Sequence, residues 1–432
     1  MSKVGMRALD RHRRGRKQPG SKARRRFLAR AGGLTATALM AALPPVAHPH
    51  PRVTGSDSPE RIEVRVGFLP LTDCAPVVVA AALGFDRKYG IRIRLSRQGS
   101  WAAVRDRVLA GELDAAHLLY GLVYGVQLGV GGMQREMAVL MGLNQNGQGI
   151  TLSSRLRDSG VTDGESLARA VREGGRRLVF AQTFPTGTHA MWLNYWLASY
   201  GIDPLRDVDI VSLPPARMVA ALRAEHIDGC CVGEPWNAVA IREGVGITAA
   251  TSQQVWCDHP EKVLGATREF VARHPDAALA LIMAMLEGAR YADQPANRAS
   301  VARLLGGASY LDMDARAILP RLLGDYEDGR GHRWTDPHAV RFHADGAVNF
   351  PYLSDGMWFM TQQRRWGLLA QDPDYEGIAR RVQHTDLYRQ AAEQLGVALP
   401  ASPMRTSLLM DGIVWDGSAP LRYAAQSAIR VA

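Results

Sequence analysis

The sequence predicts an α/β protein of two lobes, each built on a parallel-rich sheet flanked by helices, and three observations carry that prediction. The chain has 432 residues and is 47% hydrophobic, enough to bury a large core and to make two domains. Strand-like and helix-like segments alternate along it. The alternation begins near residue 61 and starts afresh after residue 175.

In the first run, Ile62, Val64, Val66 and Phe68 alternate with Glu63, Arg65 and Gly67, the period of a half-buried strand. Residues 70–73 read as a turn, and residues 77–83 as a short buried helix closed by Gly84. Ile91, Ile93 and Leu95 mark a second strand, residues 101–110 a helix stopped by Gly111, and residues 115–119 a third strand. In the second run, residues 178–181 and 208–212 read as strands, and 187–199 and 218–224 as helices. Two stretches share wording: 104–116 ends Leu-Ala-Gly-Glu-Leu-Asp-Ala-Ala, and 218–230 ends Leu-Arg-Ala-Glu-His-Ile-Asp-Gly-Cys. Each reads as an amphipathic helix, a short acidic turn and a buried strand, a faint repeat of one supersecondary unit. Residues 274–306 read as long and helical, and the remainder as helices and loops packing back on the first lobe.

The net charge of +10 suggests nucleic acid until it is located. Residues 1–30 hold twelve Lys and Arg against the single Asp10, so the remaining 402 residues carry a net charge of −1. A near-neutral body behind a basic leader argues against nucleic acid. Arg24-Arg25-Arg26-Phe27-Leu28 is followed by a modest apolar segment, 31–47, and then by Pro-rich sequence, the layout of a twin-arginine export signal. The 17 apolar-segment residues fall short of the ~20 that a membrane span needs. The expected organisation is a leader at 1–50, a linker at 51–61, the first lobe at 62–152, the second at 153–255, and a return to the first lobe with a C-terminal extension at 256–432. A periplasmic or cell-envelope location follows, with an uncleaved anchor as the variant. Cys74, Cys230, Cys231 and Cys257 form neither a disulfide framework nor a metal or redox spacing. On a strand, adjacent Cys230 and Cys231 would place one thiol in the core and the other out of it.

Polar, Gly-rich sequence collects in turns after strands: 99–101, 144–149 and 183–189. Opening onto one cleft, their amides and the helix N-terminus at 187–189 would offer fixed neutral donors and a positive dipole end, which suits a small anion. Each turn alone is also an ordinary Asn/Gly turn. Gly233-Glu234-Pro235-Trp236 works as a strand-to-helix turn, so Glu234 and Trp236 have a structural reading beside a ligand one. Trp101 and Trp192 read as packing residues by periodicity, and His117 and His226 as satisfied structural groups. The charged stretch 256–265 reads either as a solvated turn or as a loop delivering one charge to a pocket. No Gly-x-Ser-x-Gly elbow, phosphate-binding loop or His-Glu-x-x-His helix is present, so no catalytic residue, metal or cofactor is assigned, and binding is favoured over catalysis.

Six segments together resemble one family. They are Val66-Gly67-Phe68-Leu69-Pro70-Leu71-Thr72-Asp73, Gly99-Ser100-Trp101-Ala102, Asn146-Gly147-Gln148-Gly149, Gly187-Thr188-His189-Ala190-Met191, Val232-Gly233-Glu234-Pro235-Trp236-Asn237, and Asp258-His259-Pro260-Glu261-Lys262-Val263-Leu264-Gly265. Their order is similar to that in the substrate-binding proteins of nitrate and bicarbonate ABC transporters, and Ala347-Val348-Asn349-Phe350-Pro351-Tyr352 extends the likeness to about residue 370. The resemblance implies a type II periplasmic-binding-protein fold that closes on its ligand and hands it to a permease and its ATPase; a monomer is expected, and export by the twin-arginine translocase is read from the leader, a departure from family members that are lipid-anchored. It implies Trp101, Gln148, His189 and Lys262 as ligand residues, with Asn146, Thr188, Glu234 and Trp236 as weaker candidates. Nitrate offers only acceptor oxygens and needs donors, which these residues have. The bicarbonate branch resembles this pattern with Glu at the place of Lys262 and a metal ion. Lys262 therefore favours nitrate, and nitrite with it, while Asp258, His259 and Glu261 keep the reading of turn and rim residues. The alternatives are a cytoplasmic nitrate sensor restraining an RNA-binding antiterminator, a protein for bicarbonate, another oxyanion or an organic sulfonate, and an enzyme resembling thiamine-pyrimidine synthases.

Overall fold

The computed structural model describes residues 59–431. The expected leader and most of the linker lie outside the described residues. Two five-stranded sheets organise the rest. The first takes β1 (Glu63–Phe68), β2 (Arg92–Arg97), β3 (Ala115–Leu119), β4 (Met137–Gln145) and β10 (Pro260–Thr267) in the order β2-β1-β3-β10-β4. The second takes β5 (Gln148–Ser153), β6 (Val179–Gln182), β7 (Asp209–Ser212), β8 (Gly229–Gly233) and β9 (Gly246–Thr251) in the order β7-β6-β8-β5-β9. β1 pairs in parallel with β2 and β3, and β6 with β7 and β8, while β10 and β5 run antiparallel to their neighbours. The α/β expectation therefore holds, and each sheet has one reversed strand.

Those reversed strands belong to the two crossings between sheets. The chain leaves the first sheet at the Asn146-Gly147 turn and returns through residues 252–259 to β10. The crossings touch, since the Asn146 N–H donates to the His259 carbonyl at 3.2 Å. The first crossing precedes the 152/153 division expected from sequence, because Gln148–Ser153 is already a strand of the second sheet. Asn146 and Gly147 take positive φ, 61° and 90°, which a two-residue reversal requires and which Asn and Gly adopt at least cost.

The faint repeat is a structural one. After the helix Trp101–Leu109, Asp114 exchanges bonds with β1: its N–H donates to the Arg65 carbonyl at 2.9 Å and its carboxylate accepts the Arg65 N–H at 2.7 Å. After the helix Met218–Arg223, Asp228 repeats this with Val179 of β6, at 2.6 and 2.9 Å. A carboxylate at the start of each central strand thus satisfies a backbone donor on its neighbour.

Differences from the expectations have local causes. The 274–306 segment is two helices, Pro275–Asp293 and Arg298–Leu305, because Pro295 lacks the N–H that would continue the first. Cys230 and Cys231 do alternate, but both are 1% exposed, since β8 is central and covered on both faces. His226 lies exposed in the turn before β8, not satisfied within the structure as expected. The C-terminal extension packs on the first lobe and also reaches the second. In its buried helix Leu353–Arg365, Gln363 donates to the Gly121 carbonyl at 2.9 Å, while Trp358 packs on Tyr195 of the helix Thr188–Ser199 at 5.8 Å and on Trp256 at 4.9 Å. Among the described residues no helix is long and apolar enough to cross a membrane.

Candidate functional site

Past a turn at residues 257–258, the charged stretch at 256–265 is strand, not loop. From Pro260 onward it is β10, and the register of β10 against β4 slips between Pro260 and Lys262 and again between Lys262 and Val263. Regular alternation would send Glu261 and Lys262 to opposite faces, whereas a bulge re-aims them. Both side chains are fully buried and bonded to each other through Lys262 Nζ and Glu261 Oε1. Glu261 is therefore no rim residue, and neither is His259, also 0% exposed and 4.2 Å from the Trp192 ring. Asp258 does keep a turn position, at φ 58°, holding His338 and Arg341.

Lys262, the third residue of β10, lies opposite Leu119, the last residue of β3, and so stands at the carboxyl end of the parallel strands. From the turn after β1, Asp73 Oδ2 accepts from Lys262 Nζ at 2.8 Å, and its Oδ1 lies 2.8 Å from His117 Nε2. The helix opened by Trp101 sets that ring under the ammonium, 5.6 Å from Nζ and 5.4 Å from the His117 ring. From the second sheet, the turn after β6 brings His189 Nε2 to 3.2 Å from Glu261 Oε1, while its Nδ1 lies 2.6 Å from Thr183 Oγ1. Gln148 faces Gly233 in the β5–β8 register. A Cβ on Gly233 would stand 3.3 Å from Asp73 Oδ2 and 3.6 Å from His189 Nε2, so the absent side chain lets the two lobes approach there.

Trp101, Gln148, His189 and Lys262 are thus gathered at the junction of the sheets, all buried. Lys262 spends two of its three N–H donors on carboxylates. Trp101 Nε1, His189 Nε2 and both amide atoms of Gln148 have no hydrogen-bond partner among the described residues. Buried polar groups are normally paired, so these atoms, the nitrogens as donors and Gln148 Oε1 as an acceptor, are left with unused hydrogen-bonding capacity at the junction. The weaker candidates part ways. Thr188 belongs to the junction through its Oγ1, which donates to the Glu261 carbonyl at 3.2 Å. Asn146 turns its amide away, to the His338 carbonyl at 2.8 Å and Asp258 at 3.2 Å. Glu234 is bound by Arg321 at 3.0 Å, and its carbonyl accepts both donors of Thr72, at 2.9 and 3.1 Å, fastening one lobe to the other. Half-buried Trp236 packs among apolar residues.

Electrostatics follow from burial and pairing. Burial pushes the Asp73 carboxyl up, but the Lys262 ammonium and His117 outweigh it and hold it well below the usual range. Glu261 is held at about 2 against its own burial by Lys262 and His189. Burial depresses Lys262, yet the two carboxylates raise it overall. Burial dominates at His117, His189 and His259, lowering each, His259 to about 4. Around neutral pH the cluster therefore carries two negative charges and one positive.

Sequence reasoning missed that Asp73, Glu261 and Gly233 meet at this junction, while His117, read as structural, is buried and bonded to Asp73 as that reading expects. Asp73 and Gly233 both stood inside motifs already singled out, but nothing local marks Asp73 as facing a lysine 189 residues away. Cys257, Asp258 and His338 bring ligand atoms within 4.8 Å of one another. Arg341 lies 3.2 Å from both Asp258 and His338, so a guanidinium already occupies that place.

Residues 57–306 match the model of the NMT1-like family. The nitrate/nitrite binding protein NrtA of Synechocystis sp. is 36% identical over 387 residues, 86% of each chain. The nitrate import ATP-binding protein NrtC of the same organism is 35% identical over 87% of this chain and 56% of its own length. Among solved structures, the periplasmic nitrate-binding protein NrtA from Synechocystis superposes with a TM-score of 0.83 at 35% identity, over 86% of this chain and all of that one.

Proposed function

This chain belongs to the NMT1-like family, among its nitrate/nitrite-binding proteins, and on that premise we propose that it captures nitrate, and nitrite, between its lobes for an ABC importer. The observation that carries the ligand assignment is the set of unpartnered buried donors on Trp101, Gln148 and His189 beside the Lys262 ammonium. A planar anion with only acceptor oxygens satisfies such donors, and closure of the lobes then shields the contacts from water. The indole and amide groups are neutral, so selectivity rests on their directions, with the third Lys262 N–H as a charged contact.

The Thr72–Glu234 and Thr188–Glu261 contacts join the two sheets and support a closed form. A closed, ligand-bearing form is what a permease would recognise, and the likeness to an import ATPase supports a permease–ATPase partner. The twin-arginine leader supports export through that translocase to the cell envelope. A monomeric binding protein without catalytic chemistry completes the reading.

Bicarbonate is the second reading. Glu261 Oε2 and Gln148 Oε1 are buried acceptors without partners, and a ligand O–H would satisfy one of them. A thermal-shift panel decides between them, using the mature protein with nitrate, nitrite, bicarbonate with calcium, sulfate and taurine. Nitrate and nitrite should raise Tm. Stabilisation by bicarbonate alone would replace the assignment.

A further inference from the structure

The charge of the pocket does not suit its ligand. Asp73, Glu261 and Lys262 are each 0% exposed, and with neutral imidazoles they sum to one negative charge. Adding an anion would place two net negative charges in a site closed to water, where uncompensated charge is costly. Lys262 cannot offset this, because both carboxylates already hold it. Compensation must come with the ligand.

We infer that the cleft takes up its anion together with one proton, which makes His189 an imidazolium beside Glu261 and the ligand. This rests on the anion-binding reading and adds the co-bound species. The geometry singles out His189. Its Nδ1 lies 2.6 Å from Thr183 Oγ1, a hydroxyl that can accept as well as donate, so the ring tolerates both protonation states. Its Nε2 lies 3.2 Å from Glu261 Oε1 without the alignment of a hydrogen bond, leaving that edge free to turn to a ligand. The charged groups around the ring are Glu261 and Lys262 on β10 and Asp73 after β1, with Glu261 the strongest influence favouring the imidazolium. His117 and His259 also keep one ring nitrogen without a partner among the described residues, but His117 Nε2 is bonded to Asp73, and His259 lies 3.7 Å from Glu261 and gives its Nδ1 to the Pro260 carbonyl at 3.1 Å, so His189 is the ring set most directly on Glu261. In the free protein burial keeps the His189 ring neutral; the arriving anion supplies the second negative neighbour that makes the imidazolium favourable. The balance is one anion and one solvent proton entering, with no bond broken.

Calorimetric titration of the whole mature protein with nitrate at pH 8, in buffers of different ionisation enthalpy, reads the proton count directly. The expected slope of observed enthalpy against buffer enthalpy corresponds to about one proton taken up. Kd should rise about tenfold per pH unit above the free-protein pKa of His189. Nitrate binding with no buffer dependence and a flat pH profile would overturn the inference while leaving the nitrate reading intact. Absence of nitrate binding from pH 5.5 to 9 would overturn both. Glu261→Gln removes one negative charge and should cut the uptake toward zero while nitrate still binds. An undiminished proton count in His189→Gln would overturn the assignment to that ring.

Discussion

Replacing Lys262 by Met tests the electrostatic core of the site. The ammonium is 0% exposed, 2.8 Å from Asp73 Oδ2 and bonded to Glu261 Oε1, so its removal leaves two buried carboxylates facing each other without a counter-charge. Removing one partner of a buried ion pair costs about 3–5 kcal/mol. A second route gives a similar value. Two carboxylates sharing a dry site cannot both ionise, so one must stay protonated at pH 7, about three units above its ordinary pKa, at about 1.4 kcal/mol per unit. Both routes place the loss near 4 kcal/mol at pH 7. The second also fixes its pH dependence: in the variant the carboxyl pKa is raised, so the deficit against wild type should shrink as pH falls toward 4. Urea denaturation at pH 7 and pH 5 measures this, with a deficit at pH 5 smaller by about 2–3 kcal/mol. Adding Glu261→Gln to Lys262→Met should recover most of the loss. A deficit below about 1 kcal/mol at pH 7, or one independent of pH, would refute the reasoning. Lys262→Glu, the natural swap toward the bicarbonate branch, is a poorer test than the sequence suggests, because it would add a third carboxylate to the cluster.

Other expectations follow from the same geometry. Burial holds His259 at about 4, so the folded state resists charging it; its stabilising effect is complete above pH ~6.5 and is lost as pH falls toward 4, with His117 and His189 acting in the same direction. Chemical denaturation from pH 7.5 to 4.5 should show this, and a stability maximum at the acid end would contradict it. Gly233→Ala inserts a Cβ 3.3 Å from Asp73 Oδ2 and 3.6 Å from His189 Nε2, and should weaken nitrate binding about tenfold or more in calorimetry while costing little stability. Arg321→Met strands the buried Glu234 carboxylate and should cost about 3–5 kcal/mol, much of it regained in the double variant with Glu234→Gln, as a double-mutant cycle would read. Cys74, Cys230 and Cys231 are buried, and burial pushes the Cys230 thiol up to about 12, so a thiol reagent should label the native protein only at exposed Cys257 and all four cysteines in denaturant.

The secondary structure was legible wherever periodicity and punctuation agreed. β1, β2 and β3 and the helices opened by Trp101 and Gly187 lie where the alternation and caps place them, Ser100 capping the first through its Oγ to the Ala103 N–H at 3.1 Å. The long helix before Pro295 was overextended because Ala, Leu and Met kept helical spacing on both sides of the break.

For the site, sequence alone carried the residue types and their stations through resemblance to one family: Trp101, Gln148, His189 and Lys262, which the fold brings to one junction. Those depend on motifs a few residues long. Only the tertiary structure decided what surrounds Lys262. Glu261 joins it because two register slips in β10 defeat the alternation that would have sent it to the other face, and Asp73 joins it from 189 residues away. A strand's side-chain period is local information, whereas a bulge is imposed by its partners and a buried ion pair by which chain ends the sheet order brings together. The pairing of Lys262 with two buried carboxylates, where the sequence displays a lysine, is a property of the fold.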